Sequence, residues 1–332
     1  MAEHSHQDTG LRAAGRLMPP ERRGRFSAKP RTFAEGQRAE VWIADATTGR
    51  QELLFETDDV LVEAPNWTLD GEHLVVNGAG RLWTIPVADP HLVAISLEDV
   101  PDLNNDHVLA QDGERIFVSA NDWHIYETRL SGGGCRRVTG RSGIEGLMHF
   151  LHGVSPDGRR LAFVGLELGG ETPRANLFTV DVDGGDYRRL TDSDHPADGP
   201  EYSSDGRWLY FNTEEFTGHA QLARVDVEGG EPERLRVSAT VDWFPHLSPD
   251  GQRGVFVAYP AGTRGHPADV WVEIATTIAG DWQDATVVSR VFGGQGTLNV
   301  NSWHPAGERF AYVAYPVDVR RHRPDPEQGS MS

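Results

Sequence analysis

The chain of 332 residues contains only one lysine, Lys29, and only one cysteine, Cys135. A single cysteine cannot form an intramolecular disulfide, so nothing in the sequence requires an oxidising compartment. We do not expect Cys135 to be a catalytic nucleophile, because SGGGCRRVT is typical of a hairpin turn that leads into an outer strand. Lys29 lies in a predicted tail, so Schiff-base chemistry is not expected in the folded body.

Positive charge and long apolar runs are also scarce. The chain has 31 Lys and Arg against 50 Asp and Glu, which gives a formal net charge of -19. Nucleic acids and anionic membranes attract basic surfaces, so neither is expected as a partner. No segment approaches the roughly 18 consecutive apolar residues of a membrane-spanning helix, and the first 30 residues lack the apolar run of a secretory signal. We therefore expect a cytoplasmic protein.

What the sequence does contain is a repeated turn. An Asp-Gly pair followed by alternating apolar residues occurs in NWTLDGEHLVVN, SPDGRRLAFVG, SSDGRWLYFN and SPDGQRGVFVA. The turn aspartates, spaced 42 to 48 residues apart, are Asp70, Asp112, Asp157, Asp205 and Asp250. Gly307 marks a sixth, degenerate copy. Four short strands in roughly 45 residues are typical of a propeller blade, and we expect the Asp-Gly residues to shape the turns.

The two ends of the chain complement each other. The last repeat has only two strands, whereas EVWIADATTGRQELLFET near the N-terminus is a third and fourth strand without a first or second. We therefore predict an all-β fold, a six-bladed β-propeller over residues 39–316 in which the N-terminal strands complete the last blade. Residues 1–38 and 317–332 are predicted to be flexible tails. Trp67, Tyr202 and Trp303 are expected to pack between blades.

The residues just before each first strand vary from repeat to repeat, and in a propeller such positions converge on one mouth of the axial channel. Several are histidines, which together with a carboxylate and an amide suit manganese, zinc or iron better than calcium. The predicted ligands of this divalent metal are His107, His152, His246, Glu201 and Gln295. Further residues predicted to bind the ligand are Asn66, Asn104, Asn105, Asp106, Trp243, His266 and Asn299. His152 and His246 are the candidate catalytic residues, because imidazole exchanges protons near neutral pH.

The repeats also resemble a known family. SPDGRRLAFVG with NLFTVDVDGGDYRRLTD, and SSDGRWLYFNT with QLARVDVEGGEPERL, are similar to the WD40-like repeats of TolB-type six-bladed propellers over about residues 39 to 316. That family includes a Tol-system component that binds protein partners, propeller domains of peptidases, and oligogalacturonate lyases that hold manganese through His and Gln. The resemblance implies the fold, and it is compatible with more than one function.

Two functions stay open at this point. One is a metal-assisted lyase or hydrolase acting on a sugar or another small polar molecule, with His152 or His246 moving a proton. The other is a non-catalytic scaffold that binds a protein partner across one face of the propeller. A protein interface is expected to present apolar and aromatic anchors. The residues at the channel mouth are polar, which favours the first function.

Overall fold

The computed structural model describes residues 29–170 and 172–318. These residues form strands and turns, with no helix among them, and hence no helix that is long and apolar enough to cross a membrane. The strands are arranged in six main sheets, one for each blade, and one additional two-stranded pairing. The predicted all-β, six-bladed β-propeller is therefore confirmed.

The strands follow one another in blade order. The chain begins with β1 (Ala39–Asp45) and β2 (Gln51–Thr57). Blade 1 contains β3 (Val62–Trp67), β4 (His73–Gly78), β5 (Arg81–Pro86) and β6 (Val93–Ile95), and β7 (Leu97–Glu98) follows it. Blade 2 contains β8 (Leu103–Leu109), β9 (Arg115–Ala120), β10 (Ile125–Arg129), β11 (Gly133–Gly134), which pairs with β7, and β12 (Arg136–Arg137).

The next three blades each form a regular four-stranded sheet. Blade 3 contains β13 (Met148–Val154), β14 (Arg160–Glu167), β15 (Arg174–Asp181) and β16 (Arg188–Arg189). Blade 4 contains β17 (Ala197–Tyr202), β18 (Trp208–Thr213), β19 (Gln221–Asp226) and β20 (Glu233–Arg234). Blade 5 contains β21 (Val241–Leu247), β22 (Arg253–Tyr259), β23 (Ala268–Ile278) and β24 (Asp281–Gly294). The last strand of the chain is β25 (Arg309–Ala314).

Blade 6 combines the two ends of the chain. β25 pairs antiparallel with β1, from Glu40 opposite Ala314 to Asp45 opposite Arg309, and β1 pairs in turn with β2. The first strand of this blade is reduced to a single bridge between Trp303 and Phe310. The predicted closure of the ring by the N-terminal strands is confirmed.

The Asp-Gly turns are built from local hydrogen bonds. In four blades a hydroxyl group donates to the turn aspartate two residues later, at 2.6 Å in each case. The four donors are Thr68, Ser155, Ser203 and Ser248. The hydrogen bond from Ser155 lowers the pKa of Asp157, and Gly158 follows with a φ of 69°, which suits glycine. These residues shape the turn, as predicted.

The hydrophobic core lies between blades. Trp67 packs with Val41 and Val313 of blade 6, and Trp303 packs in a cluster made largely of blade 5 and blade 6 residues. Both indoles are nearly inaccessible, at 3% and 4% exposure. Tyr202 of blade 4 packs in the same way against residues of blade 3. Each aromatic ring thus joins two neighbouring sheets, as expected from the sequence.

The structure differs from the predicted N-terminal tail at residues 29–38. Gln37 is buried and forms a bridge with Val317, and the Arg31 guanidinium donates to Glu63 of blade 1. These contacts hold the segment against the ring, so the tail predicted to end at residue 38 includes about ten residues that pack on the propeller. Residues 1–28 and 319–332 lie outside the described residues.

Candidate functional site in the axial cavity

The first strand of each complete blade contains a β-bulge, which changes the direction of the side chains around it. The register shifts lie between Glu63 and Asn66, Leu103 and His107, Leu151 and Gly153, Asp198 and Glu201, and Trp243 and His246. In three blades the bulge contains a proline, Pro65, Pro200 or Pro245. Proline has no N–H, so it fits a position that makes no ladder hydrogen bond. Side chains before and after the bulge therefore face different surroundings.

A cavity of about 440 Å³ lies where the first strands begin. It has an apolar wall that includes Leu103, Trp123, Phe150, Val164 and Leu166. Its polar lining comes from blades 1 to 5 and from the segment between β24 and β25, and it includes Glu63, Asn104, Asn105, Asp106, His152, Asp198, His266, Gln295 and Asn299. The volume and the mixture of an apolar wall with a few convergent polar groups are typical of a small-molecule site.

Asp198 lies between two imidazoles in this cavity. Its Oδ1 is 3.2 Å from His152 Nε2 and its Oδ2 is 3.6 Å from His266 Nε2. The Gly199 N–H also donates to Oδ1 at 2.7 Å. His152 Nδ1 faces the Asn299 carbonyl oxygen at 3.3 Å, so both nitrogens of His152 face acceptors. Neither nitrogen offers a lone pair to a metal or to a substrate proton.

The charges in this cluster stabilise one another. Burial disfavours the charged His152 ring, but the negative charges of Asp106 and Asp198 outweigh it and raise the pKa of His152. Burial alone would raise the pKa of Asp198, yet hydrogen bonds from His152 and His266 lower it. The contact between His152 and Asp198 therefore favours the charged form of the imidazole and the ionised form of the carboxyl group.

Asp106 and its neighbours form a second polar group in the cavity. Asn104 Nδ2 donates to Asp106 Oδ2 at 2.8 Å, and the Asp106 N–H donates back to Asn104 Oδ1 at 2.9 Å. Burial raises the pKa of Asp106. Asn105 is 7% exposed, and its Nδ2 is buried without a hydrogen-bond partner among the described residues. An orphaned buried donor of this kind is costly unless a ligand satisfies it.

The structure places His246 and Glu201 outside the cavity. His246 Nδ1 lies 2.5 Å from Glu201 Oε2, and its Nε2 lies 3.1 Å from the Leu298 carbonyl oxygen. Glu201 Oε1 accepts from Asn301 Nδ2 at 2.7 Å and from the Leu247 N–H at 2.9 Å. These groups hydrogen-bond to one another and so join blades 4, 5 and the segment that leads into blade 6. Neither residue has an atom available for a metal or a substrate.

The structure also leaves His107, Asn66 and Trp243 out of the cavity lining. The His107 ring is fully buried and its Nδ1 is hydrogen-bonded to Asn77 of blade 1. Burial lowers the pKa of His107 to about 3, so this ring is a neutral core group. Asn66 is buried after the bulge of β3. Trp243 supports the cavity from behind, because its ring packs 4.4 Å from the His266 ring.

The predicted metal ligands do not come together. His107 and His246 lie outside the cavity, and His152 has no free nitrogen. In the part of the chain that the structure describes, the one group of three donors within 4.8 Å of one another is Asp70, Glu72 and His73, and both carboxylates are exposed. That group lies at an Asp-Gly turn, away from the cavity. The residues present do not fit the manganese, zinc or iron site predicted from the sequence.

Several cavity residues were not selected from the sequence. Glu63 occupies the position two residues before the bulge proline, the same position as Asp198 in blade 4. The shared pattern of Glu-Ala-Pro and Asp-Gly-Pro is a local signal for such residues. Trp123 and Phe150 of the apolar wall, and Arg31 of the N-terminal segment, have no equivalent signal. Lys29, which the sequence placed in the tail, also lines the cavity.

Comparison with known proteins agrees with this architecture. A family model described as the TolB β-propeller domain matches residues 147–268. An uncharacterized protein of Agrobacterium fabrum is 36% identical over 287 residues, which cover 85% of this chain and 94% of that protein. The solved structure of a TolB-type protein from Agrobacterium tumefaciens is 36% identical, with a TM-score of 0.77 over 85% of this chain and 99% of that one.

A more distant structure shares the fold alone. An oligogalacturonate lyase in complex with manganese is 13% identical, with a TM-score of 0.51 over 78% of this chain and 75% of that one. At this level of identity the similarity shows the fold and carries no information about metal binding or activity in this chain. The repeats, the ring closed by its N-terminal strands and the close relatives together show that this chain belongs to the TolB-like β-propeller family.

Proposed function

We propose that this protein binds a small, hydroxyl-bearing polar molecule, such as a sugar or another polyol, in the axial cavity. The observation that carries the proposal is the composition of the cavity, which is lined by polar groups from five blades and the segment before β25 together with apolar and aromatic side chains. A sugar presents hydroxyl groups around its edge and C–H groups on its faces. Trp123 and Phe150, whose rings lie 6.0 Å apart, supply an aromatic surface for such a face.

The hydrogen-bonding atoms left in the cavity support a hydroxyl ligand. Asn105 Nδ2 is a donor without a partner. Asp106 accepts the side-chain hydrogen bond from Asn104 at Oδ2, so its Oδ1 is left as an acceptor. Asn299 accepts from the Gly296 N–H at Oδ1, so its Nδ2 is left as a donor. Donors and acceptors thus occur together, and a hydroxyl group can satisfy both.

A lyase or hydrolase reaction in this cavity would depend on different residues from those predicted. His152 and His246 have both ring nitrogens facing acceptors, so neither is a free base. Asp106 is the remaining candidate for proton transfer, because it lines the cavity, its Oδ1 has no side-chain partner and burial raises the pKa of its carboxyl group. No step is assigned to a metal, since the donor atoms do not converge.

The test is ligand-induced stabilisation by a panel of neutral sugars, acidic sugars and cyclitols. A binding compound should raise the melting temperature, because it stabilises only the folded ring. Asp106→Asn should weaken the affinity for that compound by at least about tenfold, since a buried hydrogen bond is lost. Asp89→Asn, the same change at a carboxylate with 94% side-chain exposure, should leave the affinity unchanged.

Two outcomes would contradict the proposal. If no compound in the panel shifts the melting temperature, the cavity does not select hydroxyl-bearing molecules. If a compound shifts the wild type and Asp106→Asn equally, it binds elsewhere. Turnover is followed in the same samples by analysing the compound after incubation, so that binding and catalysis are distinguished.

A protein-binding role is the second candidate. The observation that favours it is Trp271 on the outer part of blade 5, which is 64% exposed and packs edge-on against Phe292 at 5.9 Å. Exposed tryptophan is enriched at protein interfaces. If no compound of the panel binds, the surface around Trp271 becomes the candidate binding site.

A further inference from the structure

A short segment ahead of the ring forms one side of the axial cavity. Lys29, Pro30 and Arg31 all contribute to its lining, although they precede the first strand. We call residues 29–31 the strap. Pro30 lies so close to Gly80 that a Cβ placed on the glycine would be 2.9 Å from Pro30 Cγ. The strap therefore packs directly on the loop that joins β4 and β5.

Arg31 holds the strap by contacts with three blades. Its Nη1 donates to Glu63 Oε1 of blade 1 at 2.8 Å and to the Gln295 carbonyl oxygen, which precedes blade 6, at 2.6 Å. Its Nη2 lies 3.4 Å from Asp269 Oδ1 of blade 5. The guanidinium also lies over the Tyr315 ring, 4.8 Å from its centre. A planar guanidinium can donate to several acceptors and stack on an aromatic ring at the same time, which the ammonium group of a lysine cannot do.

The contacts of Arg31 continue into the cavity cluster. Gln295, whose backbone accepts from Arg31, has its side-chain oxygen hydrogen-bonded to His266 Nδ1. His266 in turn faces Asp198, the partner of His152. Gln295 thus connects the strap to the cluster of His266, Asp198 and His152 through consecutive polar contacts.

We propose that Arg31 is a positioning residue that holds the strap as a wall of the ligand site, so that the site is incomplete without this segment. The inference deepens the proposed function and rests on it for the identity of the ligand. Entry to the cavity from the strap side then requires Arg31 to leave its partners. Loss of Arg31 should open the cavity to small molecules while the ring stays folded.

The test measures access to the cavity without any ligand. Because Cys135 is the only cysteine, Cys135→Ser gives a thiol-free background for a single probe. Val164→Cys places that probe on β14, at a cavity-lining position that is 4% exposed, and a small methanethiosulfonate reagent reports its accessibility. Arg31→Ala should raise the reaction rate at least about tenfold, which corresponds to about 1.4 kcal/mol of lost closing energy.

Arg38→Ala is the matched control. Arg38 lies on the same N-terminal segment and is paired with Glu40 at 2.5 Å, but it does not line the cavity. This variant should leave the rate at its parent value. Arg31→Lys should raise the rate as well, since charge alone does not reproduce the contacts of the guanidinium. A second probe, Asp89→Cys at an exposed site, should react at the same rate in every variant.

The outcomes are distinct. An unchanged rate in Arg31→Ala, an equal increase in Arg38→Ala, or full retention of closure by Arg31→Lys would each overturn the positioning role. If Arg31→Ala lowers the melting temperature, the less disruptive Arg31→Lys still gives the comparison. Because the reagent replaces the ligand, a failed sugar panel would contradict the proposed function and leave this measurement valid.

Discussion

His152 and His246 make similar contacts but belong to different parts of the molecule. Each ring lies between a carboxylate and a backbone carbonyl oxygen. His152 is the extra residue in the bulge of β13, where the register shifts between Leu151 and Gly153, and it faces the cavity. His246 follows the bulge of β21 and faces the neighbouring blades. A shift of one position relative to the bulge therefore decides whether a histidine lines the site.

The His152–Asp198 pair should make stability depend on pH. The folded-state pKa of His152 is raised, so its contribution is fully present below the unfolded value of about 6.5 and is lost as the pH rises through the folded value. Asp106, Asp198 and His266 are the titratable groups around it. The stability advantage of the wild type over His152→Gln should therefore shrink above neutral pH.

The measurement is the free energy of unfolding of both proteins between pH 5.5 and pH 9, with the titration of His152 followed by NMR. Asp198, whose pKa is lowered, stays ionised throughout this range and so does not reverse the trend. His91→Gln, the same change at a ring with 56% side-chain exposure, serves as the control. A wild-type advantage that grows with pH would show that His152 is not charged in the folded state.

At the scale of the strand, the bulges sort side chains between the cavity and the blade interfaces. In blades 1 and 4 the residue before the bulge, Glu63 or Asp198, lines the cavity. The residue that resumes pairing after it faces a neighbouring blade. Gly153 occupies that position in blade 3, where an added Cβ would lie 2.8 Å from the Pro200 carbonyl oxygen of blade 4. The close approach of the blades at this position leaves no space for a metal or ligand.

The aromatic rings between blades should carry much of the stability. Trp303 is 4% exposed, packs with blades 5 and 6, and donates from Nε1 to the His246 carbonyl oxygen at 3.2 Å. Trp303→Ala should lower the free energy of unfolding by about 3 to 5 kcal/mol, through the cavity that it leaves. Trp271→Ala, the same change at an indole with 64% exposure, should change it by about 0.5 kcal/mol or less.

Chemical denaturation of the two variants gives the comparison directly. Equal losses would contradict the packing of Trp303 between blades. The affinity for any compound found in the panel should stay unchanged in both variants, provided that they are folded, since neither residue lines the cavity.

At the scale of the whole molecule, the ring is closed by pairing between residues that are far apart in sequence. Glu40 and Ala314, at the start of β1 and the end of β25, are directly opposite each other. β1 covers the edge that β25 would otherwise expose, and unpaired edges promote aggregation. The same closure brings Arg31 beside Gln295 and Tyr315, so the strap depends on the closed ring.

Deleting residues 1–60 removes β1 and β2 and should abolish cooperative unfolding, because β25 loses its partner strand. Deleting residues 1–28 leaves β1, β2 and the strap in place and should retain the melting temperature of the full chain. Thermal unfolding and size-exclusion chromatography of the two truncations provide the measurement. Similar melting of both proteins would show that the N-terminal strands do not close the ring.

The sequence by itself determined the blades and their closure. The Asp-Gly turns depend on hydrogen bonds within a few residues, as between Ser155 and Asp157, and such contacts are encoded locally. The spacing of these turns gives the number of blades, and the incomplete first and last repeats predict how the ring closes. The position of the cavity residues near the start of the first strands was also inferred from this repeat.

Only the tertiary structure decided which side chains enter the cavity. His152 and His246 both precede turns in the sequence, and the bulge that separates their directions arises from pairing with the second strand. The hydrogen-bond partners of Arg31 lie 32 to 264 residues away in the sequence, so no local sequence pattern predicts its position. Local hydrogen bonds fix the turns within one repeat, whereas the site is formed by residues that meet only when six sheets pack around a common axis.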